Sequence, residues 1–401
     1  MKYIVVLGDG MADEPLEALG GCTPLEAAKT PTLDALAAKS QIGMAQTIPV
    51  GMSPGSDTAN LAVLGYDPAV YYSGRSPLEA LSIGIEMEPD DVAIRCNIVT
   101  LSEDPSLPFE EQTILDHSAG EIATEDCAVL LEAAREKLQG EMYRFYVGTS
   151  YRHCLIWKGG KVVPLTPPHD VLGQKIGQYL PADARLRAMM KESYELLKDH
   201  PLNRARREQG LAPANCCWFW GAGTKPALAD FTEKTGKRGV MISAVDLLKG
   251  IAAGSGMRVI AVQGANGGLH TNYEGKADAA VEALTAGGAD FAYLHVEAPD
   301  EMGHQGSAER KVQAIEYLDG RLIARVMAGM ERAGEPYRLL VMPDHPTPIV
   351  RRTHTSAPVP YLLYDSTKPE THSWQYNEKE AAASGVFEPE GYRLIERLFA
   401  E

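Results

Sequence analysis

Short, almost wholly apolar runs alternate with helically spaced segments near both ends of the chain. Residues 2–7, 238–242, 258–262, 291–296 and 337–342 are dense in Val, Ile, Leu, Met and aromatic residues, the pattern of strands buried on both faces. Apolar residues recur every three or four positions at 32–38, 276–286 and 308–330, which predicts helices. Residues 42–49 read as another strand, leading into a loop, 51–55, kept irregular by two glycines and a proline. Leu61, Val63 and Leu64 then form an apolar patch that Gly65 ends, so a short helix is expected from about Ser56. A further helix opens at 74–80, with Pro77 at an early position. The predicted class is α/β, a mostly parallel sheet flanked by helices.

From about Val92 the texture changes. Residues 92–100 alternate as a half-buried strand does, strand-like pieces recur at 143–147, 154–157 and 161–165, and helical pieces fall at 124–138 and 182–197. The stretch 201–213, rich in arginine and glutamate, reads as the exit. The chain therefore divides into a sheet domain built from residues 1–85 and 214–401, interrupted by a smaller inserted α+β domain at 86–213.

Composition narrows the function classes. At 401 residues with 45% hydrophobic content, a sizeable core is expected. A net charge of -16 argues against nucleic acid or an anionic membrane as partner. It leaves room for a small phosphorylated substrate, because cations bound by carboxylates reverse the local sign. Six cysteines without a CxxC pair read as reduced thiols of a cytoplasmic protein. The apolar run after Lys2 is too short for a signal peptide, and none approaches membrane-spanning length. Gly221 to Lys225 superficially resembles a phosphate loop but lacks its frame. Nothing in the pattern sets the oligomeric state.

The candidate chemistry lies just beyond strands. Asp9 follows the first run in a Gly-Asp-Gly turn. Asp300 and His304, four apart, share one side of a helical turn and can grip one ion. Asp344 and His345 follow a strand between prolines, where a loop would let neighbours turn the same way. His354 is a solitary histidine nearby. Taken singly these residues are ordinary turn or surface groups, and Ser56 is an N-cap. Sites in open α/β sheets, however, form at the carboxyl ends of strands, where all of them would meet. Seven ligands then suit two divalent ions, and mixed carboxylate and imidazole donors accept Mn²⁺, Zn²⁺ or Mg²⁺. A pair of ions would activate the otherwise weakly nucleophilic Ser56 hydroxyl for phosphoryl transfer.

These blocks, with Pro54 to Asn60, Gly74 to Ala80 and Ala298 to His304, resemble the archaeal-type cofactor-independent phosphoglycerate mutases and the related bacterial proteins proposed as homoserine kinases, in the alkaline-phosphatase-like metalloenzyme superfamily. The resemblance runs the length of the chain. It implies that Ser56 carries the phosphoryl group while 3-phosphoglycerate becomes 2-phosphoglycerate in glycolysis. It also implies that Asp9, Ser56, Asp344 and His345 hold one ion, and Asp300, His304 and His354 the other. The inserted domain is then a candidate lid, with Arg152, His153, His169 and Asp170 available for the substrate's carboxylate and hydroxyls. Lys249 is a further candidate contact. Asn60 stands where the family often has histidine. It can donate to phosphate oxygens without shuttling protons, and it leans toward the alternative of phosphate transfer to homoserine.

Overall fold

The computed structural model describes residues 1–400, which form two compact units, Met1–Tyr72 with the chain from Leu228 onward, and Ser73–Ala227. Thirteen strands run in chain order: β1 (Lys2–Gly8), β2 (Gln41–Ala45), β3 (Val92–Leu101), β4 (Ile114–Asp116), β5 (Tyr143–Thr149), β6 (Arg152–Trp157), β7 (Cys216–Thr224), β8 (Gly239–Ile242), β9 (Arg258–Val259), β10 (Phe291–Val296), β11 (Tyr337–Met342), β12 (Val359–Asp365) and β13 (Phe387–Glu388).

In the first unit eight strands lie in the order β13-β2-β12-β11-β1-β10-β8-β9, and only β12 runs against the rest. The α/β class expected from the apolar runs is the one that forms. Ile4, Val5, Val6 and Leu7 of β1 have no exposure, as suits a central strand covered on both faces. Ile4 and Val6 join Leu294, Leu339 and Val341 from the neighbouring strands, and Leu318, Leu322 and Ile323 pack over them. The helical pattern at 308–330 proves to be Ala308–Tyr317 and Ala324–Ala333 joined through a π-helical turn at Leu318–Ile323.

The second unit is a five-stranded antiparallel sheet ordered β4-β3-β6-β5, with β7 pairing the remaining side of β3. Helices Thr124–Leu138 and Ala184–Leu197 supply Leu130, Leu131, Leu186 and Met189 to a core shared with Trp218 and Phe219 of β7. The other face is covered too: Ala80, Ile85 and Met87 cluster with Ala93, Cys154 and Ile156. That is why β3, expected to be half buried, is buried along nearly its whole length.

It also explains why the units divide at residues 72/73 and 227/228 instead of the expected 85 and 214. Helix Arg75–Ser82 finds its apolar partners on the second sheet, and β7 pairs along β3. Residues 161–165 form no strand, since Pro164 brings no N–H to a ladder. The five residues from Gly221 to Lys225 are the end of β7 and its exit, where Lys225 Nζ donates to the Met87 carbonyl at 2.8 Å. Among the described residues no helix is long and apolar enough to cross a membrane.

Candidate active site

Within the first unit, the carboxyl ends of β1, β10 and β11 bring their following loops to one edge of the sheet. Asp9 follows β1, Asp300 and His304 lie in helix Ala298–His304 after β10, and Asp344 and His345 follow β11. His354 comes from the loop leading to β12, and Ser56 opens helix Ser56–Val63.

Ser56 does not cap its helix. Gly55 holds that position in extended conformation, leaving the Ser56 hydroxyl free to turn inward, with Oγ 3.1 Å from His345 Nε2. His345 Nε2 is also 3.5 Å from Asp9 Oδ1 and 3.4 Å from Asp344 Oδ2. Its other nitrogen, Nδ1, lies 3.3 Å from Thr347 Oγ1, whose hydroxyl donates to Asp300 Oδ1. With that proton committed to Asp300, Thr347 can only accept from Nδ1–H. The lone pair of Nε2 therefore faces Ser56.

The turn after β1 has no room for a side chain. Gly10 has φ +59°, and a Cβ there would lie 2.5 Å from both Asp300 Oδ1 and Thr347 Oγ1. Its N–H donates to Asp344 Oδ1 at 3.1 Å, and the same oxygen accepts His345 N–H at 2.8 Å. Asp344 and His345 can share this place because β11 has already given way to a loop, as the flanking prolines predicted.

The second cluster is Asp300, His304 and His354. His304 Nε2 is 3.2 Å from Asp300 Oδ2 and 3.0 Å from His354 Nε2, which is itself 3.4 Å from Asp300 Oδ1. His304 Nδ1 lies 3.0 Å from the Arg352 carbonyl, which can only accept, so Nε2 is the nitrogen left to take up a cation or a proton. Two imidazole nitrogens and a carboxylate converging in this way require a cation or a proton between them. Accordingly, the hydrogen bond to Asp300 raises the His304 pKa to about 9. Asp300, despite its burial, is held well below the usual carboxylate range by His304, His354 and His345.

Asp9 is driven the opposite way. Burial, followed by the nearby Asp344, Asp300 and Glu297 carboxylates, raises its pKa well above the ordinary value. Its Oδ1 is buried with no hydrogen-bond partner among the described residues. A buried orphan oxygen amid like charges is the environment a divalent cation relieves, so the donor set fits metal. Three groups have ligand atoms within 4.8 Å of one another: Asp300, His304 and His354; Asp9, Asp300 and His345; and Asp9, Asp344 and His295. His295 was not among the residues singled out in the sequence, where it is one position in a buried strand.

Comparison with known proteins follows the same lines. A family model described as 2,3-bisphosphoglycerate-independent phosphoglycerate mutase matches residues 37–203. A protein of that name from Methanosarcina barkeri is 48% identical over 96% of this chain and 96% of its own. One from Methanothrix thermoacetophila is 45% identical over the whole of both. The chain belongs to the 2,3-bisphosphoglycerate-independent phosphoglycerate mutase family. The solved cofactor-independent phosphoglycerate mutase of Thermoplasma acidophilum has the same fold, with a TM-score of 0.68 at 27% identity over 99% of each chain.

The remaining residues expected to meet substrate fall into two kinds of surroundings in this member of the mutase family, buried for Asn60 and His153 and exposed for Arg152 and His169. Asn60 is fully buried, and its amide nitrogen donates to Ser56 O at 2.8 Å and Asp344 Oδ2 at 2.9 Å. Both N–H bonds are spent inside the site, so none is left for a phosphate. His153 points into the core of the second unit, because neighbours on a strand face opposite ways and Arg152 takes the outer face. Its Nε2 contacts Cys127 Sγ at 3.1 Å, its Nδ1 accepts Gly148 N–H at 3.1 Å, and burial lowers its pKa to about 4. Arg152 lies over the Tyr151 ring, and His169 packs edge-on against Trp220, 3.6 Å from Asp170. His117, which sequence reasoning missed, packs against both Tyr151 and His169. The available signal was an Asp116-His117 pair directly after the apolar pair Ile114-Leu115. Lys249 pairs with Asp246 one helical turn back, at 3.0 Å.

Proposed function

We propose that this chain interconverts 3-phosphoglycerate and 2-phosphoglycerate through a phosphoserine at Ser56. The observation that carries the reading is the Ser56 hydroxyl, turned out of its helix cap into a ring of carboxylates and imidazoles 3.1 Å from the bare Nε2 of His345. Asp9, Ser56, Asp344 and His345 would hold one divalent cation, and Asp300, His304 and His354 the other. Such ions, of which Mn²⁺, Zn²⁺ and Mg²⁺ all suit the donors, lower a hydroxyl's pKa and neutralise phosphoryl oxygens.

The rest falls to the chain's own groups. Ser56 Oγ gives up its proton and bonds to phosphorus as the bond from phosphorus to the substrate's 3-oxygen breaks, and that proton ends on the released 3-oxygen. Glycerate then turns, its 2-hydroxyl loses its proton as the oxygen bonds to phosphorus, the bond from phosphorus to Ser56 Oγ breaks, and the proton returns to Ser56. No free bisphosphoglycerate is needed. The start of helix Ser56–Val63, where backbone N–H groups lack helical acceptors, would favour a phosphate on Ser56. In the second unit, Arg152, with His117, His169 and Asp170, forms the candidate surface for the substrate's carboxylate and hydroxyls. Six cysteines, none in a disulfide, suit a reducing cytoplasm. The homoserine-directed alternative draws no support from the mutase-named relatives.

The test is chromatographic resolution of the two phosphoglycerate isomers after incubation with purified protein and Mn²⁺. Interconversion is expected for the native chain, and its loss for Ser56→Ala, with a phosphorylated peptide spanning Ser56 recoverable only from the native chain. Failure to convert either isomer, with phosphate transferred to homoserine instead, would defeat the reading.

A further inference from the structure

Strand β10 carries two polar side chains, Tyr293 and His295, in the middle of a parallel sheet, and both are fully buried. Two positions apart, they face the same side. A phenol or imidazole buried without a partner is costly, so the question is where their polar atoms go. Both lines of contact end on a carboxylate of the candidate site. Tyr293 Oη donates to Asn60 Oδ1 at 2.5 Å, and Asn60 Nδ2 in turn donates to Asp344 Oδ2 at 2.9 Å. His295 Nε2 lies 2.9 Å from Asp9 Oδ2, while its Nδ1 lies 3.2 Å from Ser243 Oγ.

The proton positions follow from the partners. With a cation bound beside it Asp9 is ionised and can only accept, so His295 carries its proton on Nε2. Its Nδ1 is then a lone pair, filled by the Ser243 hydroxyl, whose oxygen accepts Val245 N–H at 3.0 Å. One Asp9 oxygen is thus held from behind, while Oδ1 has no hydrogen-bond partner among the described residues. Asp344 is held on both oxygens, by Gly10 and His345 N–H on one and Asn60 on the other. With asparagine at position 60, a single side chain links Tyr293, Ser56 and Asp344.

We propose that Tyr293 and His295 are positioning residues, which orient Asp344 through Asn60 and Asp9 directly, and that His295 is not itself a cation ligand. The inference rests on the reading above that Asp9 and Asp344 hold a cation. The competing assignment is concrete, because His295 Nδ1 or Nε2 lies close enough to ligand atoms of Asp9 and Asp344 to complete a three-residue site.

The test titrates chelator-treated protein with Mn²⁺ in a calorimeter, reading stoichiometry and Kd, with thermal unfolding in EDTA recorded for each variant. The native chain is expected to bind two ions. Tyr293→Phe and His295→Ala should still bind two, one of them weakened roughly 10- to 100-fold, as for lost partners of metal-binding carboxylates. His295→Gln, whose amide N–H can still reach Asp9, should stay short of the roughly 10-fold weakening that a lost partner brings. Loss of one ion in His295→Gln as complete as in His295→Ala would make His295 a ligand and overturn the proposal. So would native affinity in both Tyr293→Phe and His295→Ala. Should His295→Ala fail to unfold cooperatively in EDTA, Ser243→Ala replaces it. That variant removes only the hydroxyl that fixes the ring, so a several-fold weakening is expected, and native affinity would again overturn the assignment. The mutase reading is judged separately. A native chain that binds two ions with this order of variants but converts no phosphoglycerate refutes the mutase reading alone. Turnover by the native chain alongside unaltered metal binding in the variants refutes the positioning alone.

Discussion

Lys311 offers a severe test of how the site is supported. It lies on helix Ala308–Tyr317 with no solvent exposure, and its ammonium donates to Asp13 Oδ2 at 2.7 Å, the Thr347 carbonyl at 2.9 Å and the Ala12 carbonyl at 3.3 Å. Those three acceptors match its three hydrogens. Thr347 is the residue whose hydroxyl links Asp300 and His345, so the lysine anchors a loop of the site from beneath. Lys311→Met keeps much of the volume but leaves Asp13 as a buried carboxylate without its cation, and two carbonyls without donors. Breaking a buried pair from one side costs about 3–5 kcal/mol. At about 2–4 °C per kcal/mol for a unit of this size, the melting temperature should fall by roughly 6–20 °C. The measurement is thermal unfolding by circular dichroism in EDTA, so that bound metal does not contribute. Adding Asp13→Asn removes the orphaned charge and should recover a large part of the loss, because replacing both partners is far less costly than replacing one. A melting temperature unchanged in Lys311→Met, or losses that simply add in the double variant, would refute the account of Lys311 as a buried counter-charge.

Glu378 should make stability depend on pH. Its carboxylate accepts from Asp13 N–H and the Thr23 hydroxyl, and burial raises its pKa from 4.5 to about 7. Between those values the folded state holds a proton that the unfolded state has lost, so stability falls as pH rises through this window, by about 3 kcal/mol in all. Glu378→Gln should flatten that slope in urea unfolding measured in EDTA, and an unchanged slope would count against it. His304→Ala removes one nitrogen from the Asp300, His304 and His354 group. Bound Mn²⁺ measured after dialysis should then drop from two per chain toward one, with the Asp9 and Asp344 end still loaded.

Much of the site was legible in the chain because its ingredients are local. An apolar run followed by Gly-Asp-Gly announces a buried strand ending in a turn, and that turn is where Asp9 sits. Asp300 and His304 share a side through helical spacing alone, and prolines around Asp344 and His345 predicted the loop that lets both serve one place. The misreadings also have local causes. Residues 161–165 carry the composition of a strand, but Pro164 cannot join a ladder. Asn60 reads as a substrate contact from its place in the family's serine loop and His153 from its polar neighbours, but neither signal says which way a side chain faces.

What periodicity and spacing determined was the α/β class, the interruption by a second unit and the residue types gathered beyond the strand ends. The tertiary structure alone decided which of those residues share a point in space. Asp9 meets His295 and Asp344 because β1 lies between β10 and β11, a strand order set by packing between segments far apart in the chain, Leu7 lying beside His295 on one side and Met342 on the other. For the same reason nothing around His295 in the sequence marks it. Its significance comes from a carboxylate at the far end of the chain, which only the assembled sheet brings within hydrogen-bonding reach.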